Sequence, residues 1–209
     1  MVLTFDDAYE DFYSEAFPVL SRLGYTATVF LPKAHIGETA RIFNGTACLT
    51  WSQVRELWSA GIGFGSHTVT HPQLTTLRKE DVREELRRSK EEIEDRLSAP
   101  IESFSYPYAF PEADFMFKQK LWDILTATGY KNGVSTIIGT ASLQCNRFFL
   151  ARLPVNSDDD LPLFRAKLEG AHDWLHSIQY TTKRLRSILA SATSELEDHP
   201  DSNGAGFRG

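Results

Sequence analysis

Cysteine is scarce in this 209-residue sequence: Cys48 and Cys145 are the only two, and their separation matches neither a metal-binding nor a redox motif. A disulfide framework is not implied, and both thiols are expected as buried, small hydrophobes in a chain suited to a reducing compartment. A basic surplus is missing too. With 22 Lys and Arg against 28 Asp and Glu, the formal net charge is −6. No positive field is available to hold a phosphate backbone, so nucleic acid is not an expected partner. Also absent is any run near the roughly 20 apolar residues that span a bilayer. The opening residues, Met1 to Phe5, have no basic flank or cleavage site, and the cytoplasm is the expected location. No internal repeat is visible.

What the chain does have is 42% hydrophobic residues, with 14 Phe, 7 Tyr and 4 Trp, enough apolar bulk for one globular core. Short apolar runs predict strands at Val2–Phe5, Thr26–Leu31, Ile62–Ser66, Ser103–Tyr106, Gly133–Thr136 and Phe148–Val155. Amphipathic stretches fill the gaps between them. Tyr9–Leu23 reads as a helix ending at Gly24, which Pro18 must either kink or restart. Thr50 and Gln53 form a capping box for Trp51–Ala60, and Gly61 stops that helix. Lys79–Leu97 carries an apolar stripe of Val82, Leu86, Ile93 and Leu97, with Glu84–Arg88 and Glu92–Arg96 as i,i+4 pairs on the wet face. Asp114–Thr128 and Leu161–Leu189 are further helices. Strands followed by helices imply parallel pairing through right-handed crossovers, hence an α/β layer fold or barrel over residues 1–190, with 191–209 as a frayed polar tail.

Three segments carry chemistry. In Leu3-Thr4-Phe5-Asp6-Asp7, two carboxylates stand at the end of a strand, where parallel α/β folds place their sites. Two close carboxylates split their pKa values unless a cation neutralises one; the plainer reading is that one of them caps the next helix. In Gly65-Ser66-His67-Thr68-Val69-Thr70-His71-Pro72, two histidines four apart follow another strand. With a carboxylate from elsewhere they would make a two-histidine, one-carboxylate metal set, and otherwise they are hydrogen-bonded surface or core residues. In Ser103-Phe104-Ser105-Tyr106-Pro107-Tyr108 a strand runs into a proline turn. Pro107 has no N–H, so the Tyr108 amide is the next free donor, and the aromatic rings would wall a cleft.

LTFDD, GSHTVTHP and FSYPY, in that order, resemble the polysaccharide deacetylase family of carbohydrate esterases, the NodB-like domain. The intervening TATVFL and LTWSQVRELWSAGIGFGSHTVTHPQL and the ELRRSKEEIEDRL helix extend the likeness over residues 2–155. FFLARLPV followed by LFRAKLEGAHDWL is similar to the members associated with exopolysaccharide. The resemblance implies a distorted (β/α)7 TIM-like barrel and a divalent metal, commonly Zn2+, held by Asp7, His67 and His71. Asp6 would be the general base toward a water on that metal, and the Tyr108 amide would serve the oxyanion. The implied activity is removal of acetyl groups from N-acetylated or O-acetylated sugars, so the implied partner is an acetylated glycan.

Several positions depart from the family pattern. Ala8 and Ala109 stand where glycine is usual, which matters only where the backbone needs positive φ. Ser105 stands where many members have an arginine beside the base, so Asp6 is expected to lack that partner and hold its proton more tightly. The late Leu-x-His histidine is missing; Arg152 is the nearest cationic side chain, His35 follows the second strand, and His172 and His176 read as a surface or packing pair. Met1 lies so close to Asp6 that a shortened chain with a barrel open at that edge is expected. Two other functions fit the same residues: a catalytically impaired glycan-binding homologue, and a cytosolic amidohydrolase acting on a small non-sugar amide.

Overall fold

Alternating strands and helices leave each strand no nearby antiparallel partner, so the sheet must be built through crossovers. The computed structural model describes residues 1–142 and 144–170. Along them run β1 (Thr4–Phe5), a π-helical turn (Phe12–Ala16) continuous with α1 (Phe17–Leu23), β2 (Thr28–Leu31), a hairpin of β3 (Ile42–Phe43) and β4 (Thr46–Ala47), and α2 (Trp51–Ser59). There follow β5 (Gly63–Ser66), α3 (Lys79–Leu97), β6 (Ser103–Ser105), α4 (Phe115–Thr128), β7 (Asn132–Ile138), β8 (Leu150–Arg152) and α5 (Leu161–Leu168).

Six strands form one parallel sheet in the order β1-β2-β5-β6-β7-β8. The sheet curls until its two edges face each other: Arg152 of β8 donates through Nη1 to Thr4 Oγ1 of β1 at 3.3 Å. This is the α/β barrel expected from the sequence, with six of its strands among the described residues. β1 is two residues long and lies at an edge of the sheet. The last expected helix is described as far as Leu168. Its remainder, His172, His176 and the polar tail lie outside the described residues.

Local chemistry accounts for most boundaries. Pro18 restarts the first helix: it sits in the first turn of α1, where its missing N–H costs nothing, and the preceding turn is π-helical. The Thr50–Gln53 capping box opens α2 with both reciprocal bonds formed. Asp114 lies outside α4 as its cap, accepting from the Phe117 N–H at 2.9 Å. α3 buries Val82, Leu86, Ser89, Ile93 and Leu97. Its wet face differs in one respect from the expected pairing: Glu92 pairs with Arg88 and Lys33, while Arg96 reaches Glu38 and covers the Trp51 ring. Cys48 is buried as expected, but Cys145 is exposed.

The β3–β4 hairpin has no counterpart in the expected elements. Its turn is Asn44-Gly45, both with positive φ (49° and 82°), the pairing that a two-residue hairpin loop favours. Two-residue strands carry too little alternation to register as a period.

Gly65 lets the centre of the sheet close. A Cβ there would stand 2.4 Å from the buried Phe30 ring and 2.9 Å from the Ser103 carbonyl oxygen. Gly65→Ala is therefore expected to lower unfolding free energy by about 1–3 kcal/mol through overpacking, measured as a reduced urea midpoint at unchanged slope.

Candidate active site

Because the strands are parallel, their C-terminal ends share one edge, and the loops leaving β1, β5 and β6 bring Asp6, Asp7, His67, His71 and Tyr108 to it. Asp7 Oδ1 lies 3.5 Å from His67 Nε2 and 3.5 Å from His71 Nε2, and the two Nε2 atoms are 3.2 Å apart. These are the three side chains that could hold a metal among the described residues.

Three features test whether the set fits a cation. First, ligands about 2.0–2.1 Å from a tetrahedral zinc stand roughly 3.4 Å from one another, which the observed separations match. Second, Asp7 Oδ1 is buried without a hydrogen-bond partner. Burial and the Asp6 charge raise the Asp7 pKa against the pull of His67, so this oxygen is short of positive charge. Third, the histidines present lone pairs. His67 Nδ1 lies 2.8 Å from Ser105 O; a carbonyl only accepts, so Nδ1 carries the proton and Nε2 is bare toward Asp7. Burial and neighbouring His67 push His71 down to about 4, which leaves its imidazole neutral at pH 7. The residues fit.

The loops that present these groups are strained. Among the described residues, seven non-glycine positions have positive φ, and five of them belong here: Asp7 (67°), Ala8 (52°), Thr68 (67°), His71 (57°) and Tyr108 (60°). Such conformations cost about 1–3 kcal/mol each and persist only where the surroundings over-determine them. At Ala8 the backbone does need the left-handed region that glycine would relax into. Its methyl is buried in the core, and its carbonyl accepts from the Leu49 N–H at 2.9 Å. Ala109 is not among the left-handed positions.

Asp6 sits in a different environment, and here an expectation is overturned. Rather than lacking a basic partner, Asp6 is gripped by Arg152: Nη1 donates to Oδ1 at 2.9 Å and Nη2 to Oδ2 at 2.7 Å. Ser105 Oγ adds a third bond, to Oδ1 at 2.9 Å. Burial pushes the Asp6 pKa up, but the Arg152 bonds and charge, with His67 and Ser105, hold it below the usual carboxylate value. The proton is held less tightly than expected. The guanidinium is itself fixed by Nε donating to Ser135 O at 2.9 Å. Sequence reading missed the pair because the two residues are 146 positions apart and meet only when the sheet curls.

The aromatic surroundings are also redistributed. Tyr106 and Phe110 do not wall the cleft; both are buried in the core, ring to ring at 5.0 Å. The rings beside His71 are Phe43, at 5.1 Å, and Tyr108, at 4.7 Å, and Tyr108 is 54% exposed. Phe43 comes from the unanticipated hairpin and stacks in turn on His35 at 4.1 Å. His35 therefore meets the site through Phe43, and burial and Arg41 lower its pKa.

The chain is similar to known proteins. The family model described as Polysaccharide deacetylase matches residues 1–133. The putative polysaccharide deacetylase YxkH of Bacillus subtilis is 30% identical over 170 residues, covering 81% of this chain and 56% of that protein. The poly-beta-1,6-N-acetyl-D-glucosamine N-deacetylase of Staphylococcus aureus (strain MRSA252) is 22% identical over 82% of this chain and 59% of its own length. The chain thus spans somewhat more than half the length of these curated relatives. Among solved structures, the Streptococcus pyogenes deacetylase PplD in complex with acetate superposes with a TM-score of 0.69 at 26% identity, over 79% of this chain and 69% of that one. IcaB from Ammonifex degensii shares the fold, with a TM-score of 0.65 at 23% identity over 81% and 72%. The matched stretch takes in the Asp-Asp, His-His and Pro-Tyr loops together, and the chain belongs to the polysaccharide deacetylase family.

Proposed function

We propose that this chain is a metal-dependent deacetylase of an acetylated glycan, with Asp7, His67 and His71 holding a divalent cation, Zn2+ foremost, and Asp6 acting as the base. The observation that carries this reading is the convergence of three donor atoms at 3.2–3.5 Å beside a second aspartate tied to an arginine. A bound divalent cation would supply Lewis acidity and a water acidic enough to react near neutral pH.

The protein's own groups do the rest. Arg152 keeps Asp6 ionised and fixes its plane, so that the carboxylate is ready to take the proton of the attacking water. Oδ2 accepts from Arg152 alone, whereas Oδ1 accepts from both Arg152 and Ser105; Oδ2 is thus the freer oxygen for that proton. The Tyr108 N–H donates to no described residue and would donate to the developing oxyanion. When the C–N bond breaks, the amine needs a proton. Among the described residues no cationic imidazole stands at hand, since His67 and His71 serve as ligands and His35 has a lowered pKa. Asp6 hands on the proton that it took. The products are acetate and a free amine on the sugar.

The exposed Tyr108 ring offers a face on which a sugar can stack. The Staphylococcus aureus relative supports a β-1,6-linked N-acetylglucosamine polymer as the substrate. The case for an impaired, purely binding homologue rests on two absences, an arginine beside the base and a late histidine, and Arg152 answers the first of them.

Three outcomes are expected. His67→Ala loses one of three protein ligands, and metal analysis after dialysis is expected to return a substoichiometric content with no acetate release. Asp6→Asn keeps the metal, while acetate release from poly-β-1,6-N-acetylglucosamine oligomers falls by about 10²–10⁴-fold; near-normal turnover in this variant would remove Asp6 from the mechanism. Arg152→Gln removes the Arg152 bonds and charge that oppose burial at Asp6, leaving only His67 and Ser105 to hold its pKa down. The acidic limb of its kcat/KM profile is therefore expected at higher pH than in the wild type, and a coincident profile would dissociate Arg152 from the base.

A further inference from the structure

The five residues from His67 to His71 carry both imidazoles, and each of their backbone N–H groups has an acceptor. His67 donates to Leu31 O at 2.9 Å, Thr68 to Ser66 Oγ at 3.3 Å and His71 to Thr68 Oγ1 at 3.0 Å. The remaining two converge on a single atom. Val69 N–H and Thr70 N–H donate to Glu85 Oε2 at 2.8 and 2.9 Å, and Thr70 Oγ1–H donates to Glu85 Oε1 at 2.8 Å. From the opposite side, Thr68 O and Val69 O accept from the N–H groups of Lys33 (3.1 Å) and Ala34 (2.8 Å). The loop is gripped between the exit of β2 and the face of α3.

Glu85 is the one charged partner in this set. It stands on α3 between the buried Val82 and Leu86 and one turn before the buried Ser89, so its backbone is fixed by the core. Its three partners are all donors of this loop, and no Lys or Arg among the described residues pairs with it. A solvated glutamate on an otherwise ion-paired helix would behave differently: Glu84, Glu91, Glu92 and Glu94 all bind Arg or Lys. The segment that it holds contains two left-handed residues, Thr68 and His71, on either side of the clamped amides. Without the clamp, the backbone can relax toward ordinary φ values and turn the His71 ring away from His67 and Asp7.

The geometry points to Glu85 as a positioning residue that holds His71 and His67 at metal-ligating separation by clamping the Val69 and Thr70 amides, an inference that rests on the metal reading of the Asp7–His67–His71 set. Glu85 touches none of the ligand atoms; it acts through the backbone that carries them, as outer-shell groups do when they orient a metal's ligands.

The test measures metal binding on the full chain, freed of metal, in the wild type and in Glu85→Ala, Glu85→Asp and Glu85→Gln. Co2+ is titrated by its visible absorption and Zn2+ by competition with a chromophoric chelator. Glu85→Ala is expected to weaken binding about 10- to 100-fold and to alter the Co2+ band. Glu85→Asp, one methylene too short to span the gap, is expected to follow it, and Glu85→Gln, which keeps an acceptor oxygen for the two amides, to recover most of the affinity. Wild-type affinity and spectrum in Glu85→Ala overturn the inference. If that variant does not fold, unchanged binding in Glu85→Asp overturns it equally. A wild-type chain that takes up neither metal defeats the reading of the site itself, so the wild-type titration separates the two failures.

Discussion

One carboxylate oxygen and two imidazole nitrogens are held within 3.5 Å of each other, and the oxygen is buried without a hydrogen-bond donor. Such an arrangement is unfavourable on its own terms, since a buried acceptor without a donor costs free energy and left-handed backbone costs more. It persists because each loop is tied to something rigid. The Asp7 loop is bonded to β4 and the residues just after it through Glu10 N–H and Ala8 O, the histidine loop to β2 and α3, and His67 Nδ1 to the end of β6. The barrel's core supplies the stability that the site spends. A cation at the point where the three atoms converge would turn the unsatisfied oxygen and lone pairs into ligands.

The neighbouring aspartates show how environment divides two identical side chains. Asp7 faces the imidazoles and has a raised pKa; Asp6 faces Arg152 and Ser105 and has a lowered one. Successive residues leaving a strand point to opposite sides, and the curl of the sheet places β8 on one of those sides. The result is one carboxylate short of a cation and one already supplied with it, side by side. This is the separation of roles that a base and a ligand need.

Elements were legible where local rules are strong. The capping box at Thr50, the apolar stripe of α3 and the stop at Gly24 depend on residues within a turn or two, and all are as expected. Pro18 could kink or restart its helix, and packing settled on a restart. The hairpin escaped notice because its strands are too short for alternation, although Asn44-Gly45 carried the turn signal. Surface pairing was less legible: Arg96 had an acceptor at i−4 in Glu92 and another in Glu38, 58 positions away, and it reaches the distant one. The aromatics near the proline turn could not be sorted into cleft and core from sequence, because Tyr106 and Phe110 bury their rings while Tyr108, two residues from each, does not.

The sequence by itself determined the alternation of strands and helices, the strand ends at which Asp6, Asp7, His67, His71 and Tyr108 emerge, and the family that the spacing of those motifs resembles. Each of these follows from periodicity, capping or motif order, which are properties of neighbouring residues. The tertiary structure alone decided which basic group meets Asp6, which ring flanks His71 and what clamps the histidine loop. Those contacts join β1 to β8, the hairpin to the β5 loop and α3 to the same loop. They exist only once the sheet has curled and the helices have packed, because no local preference specifies a partner that the chain reaches only by closing on itself.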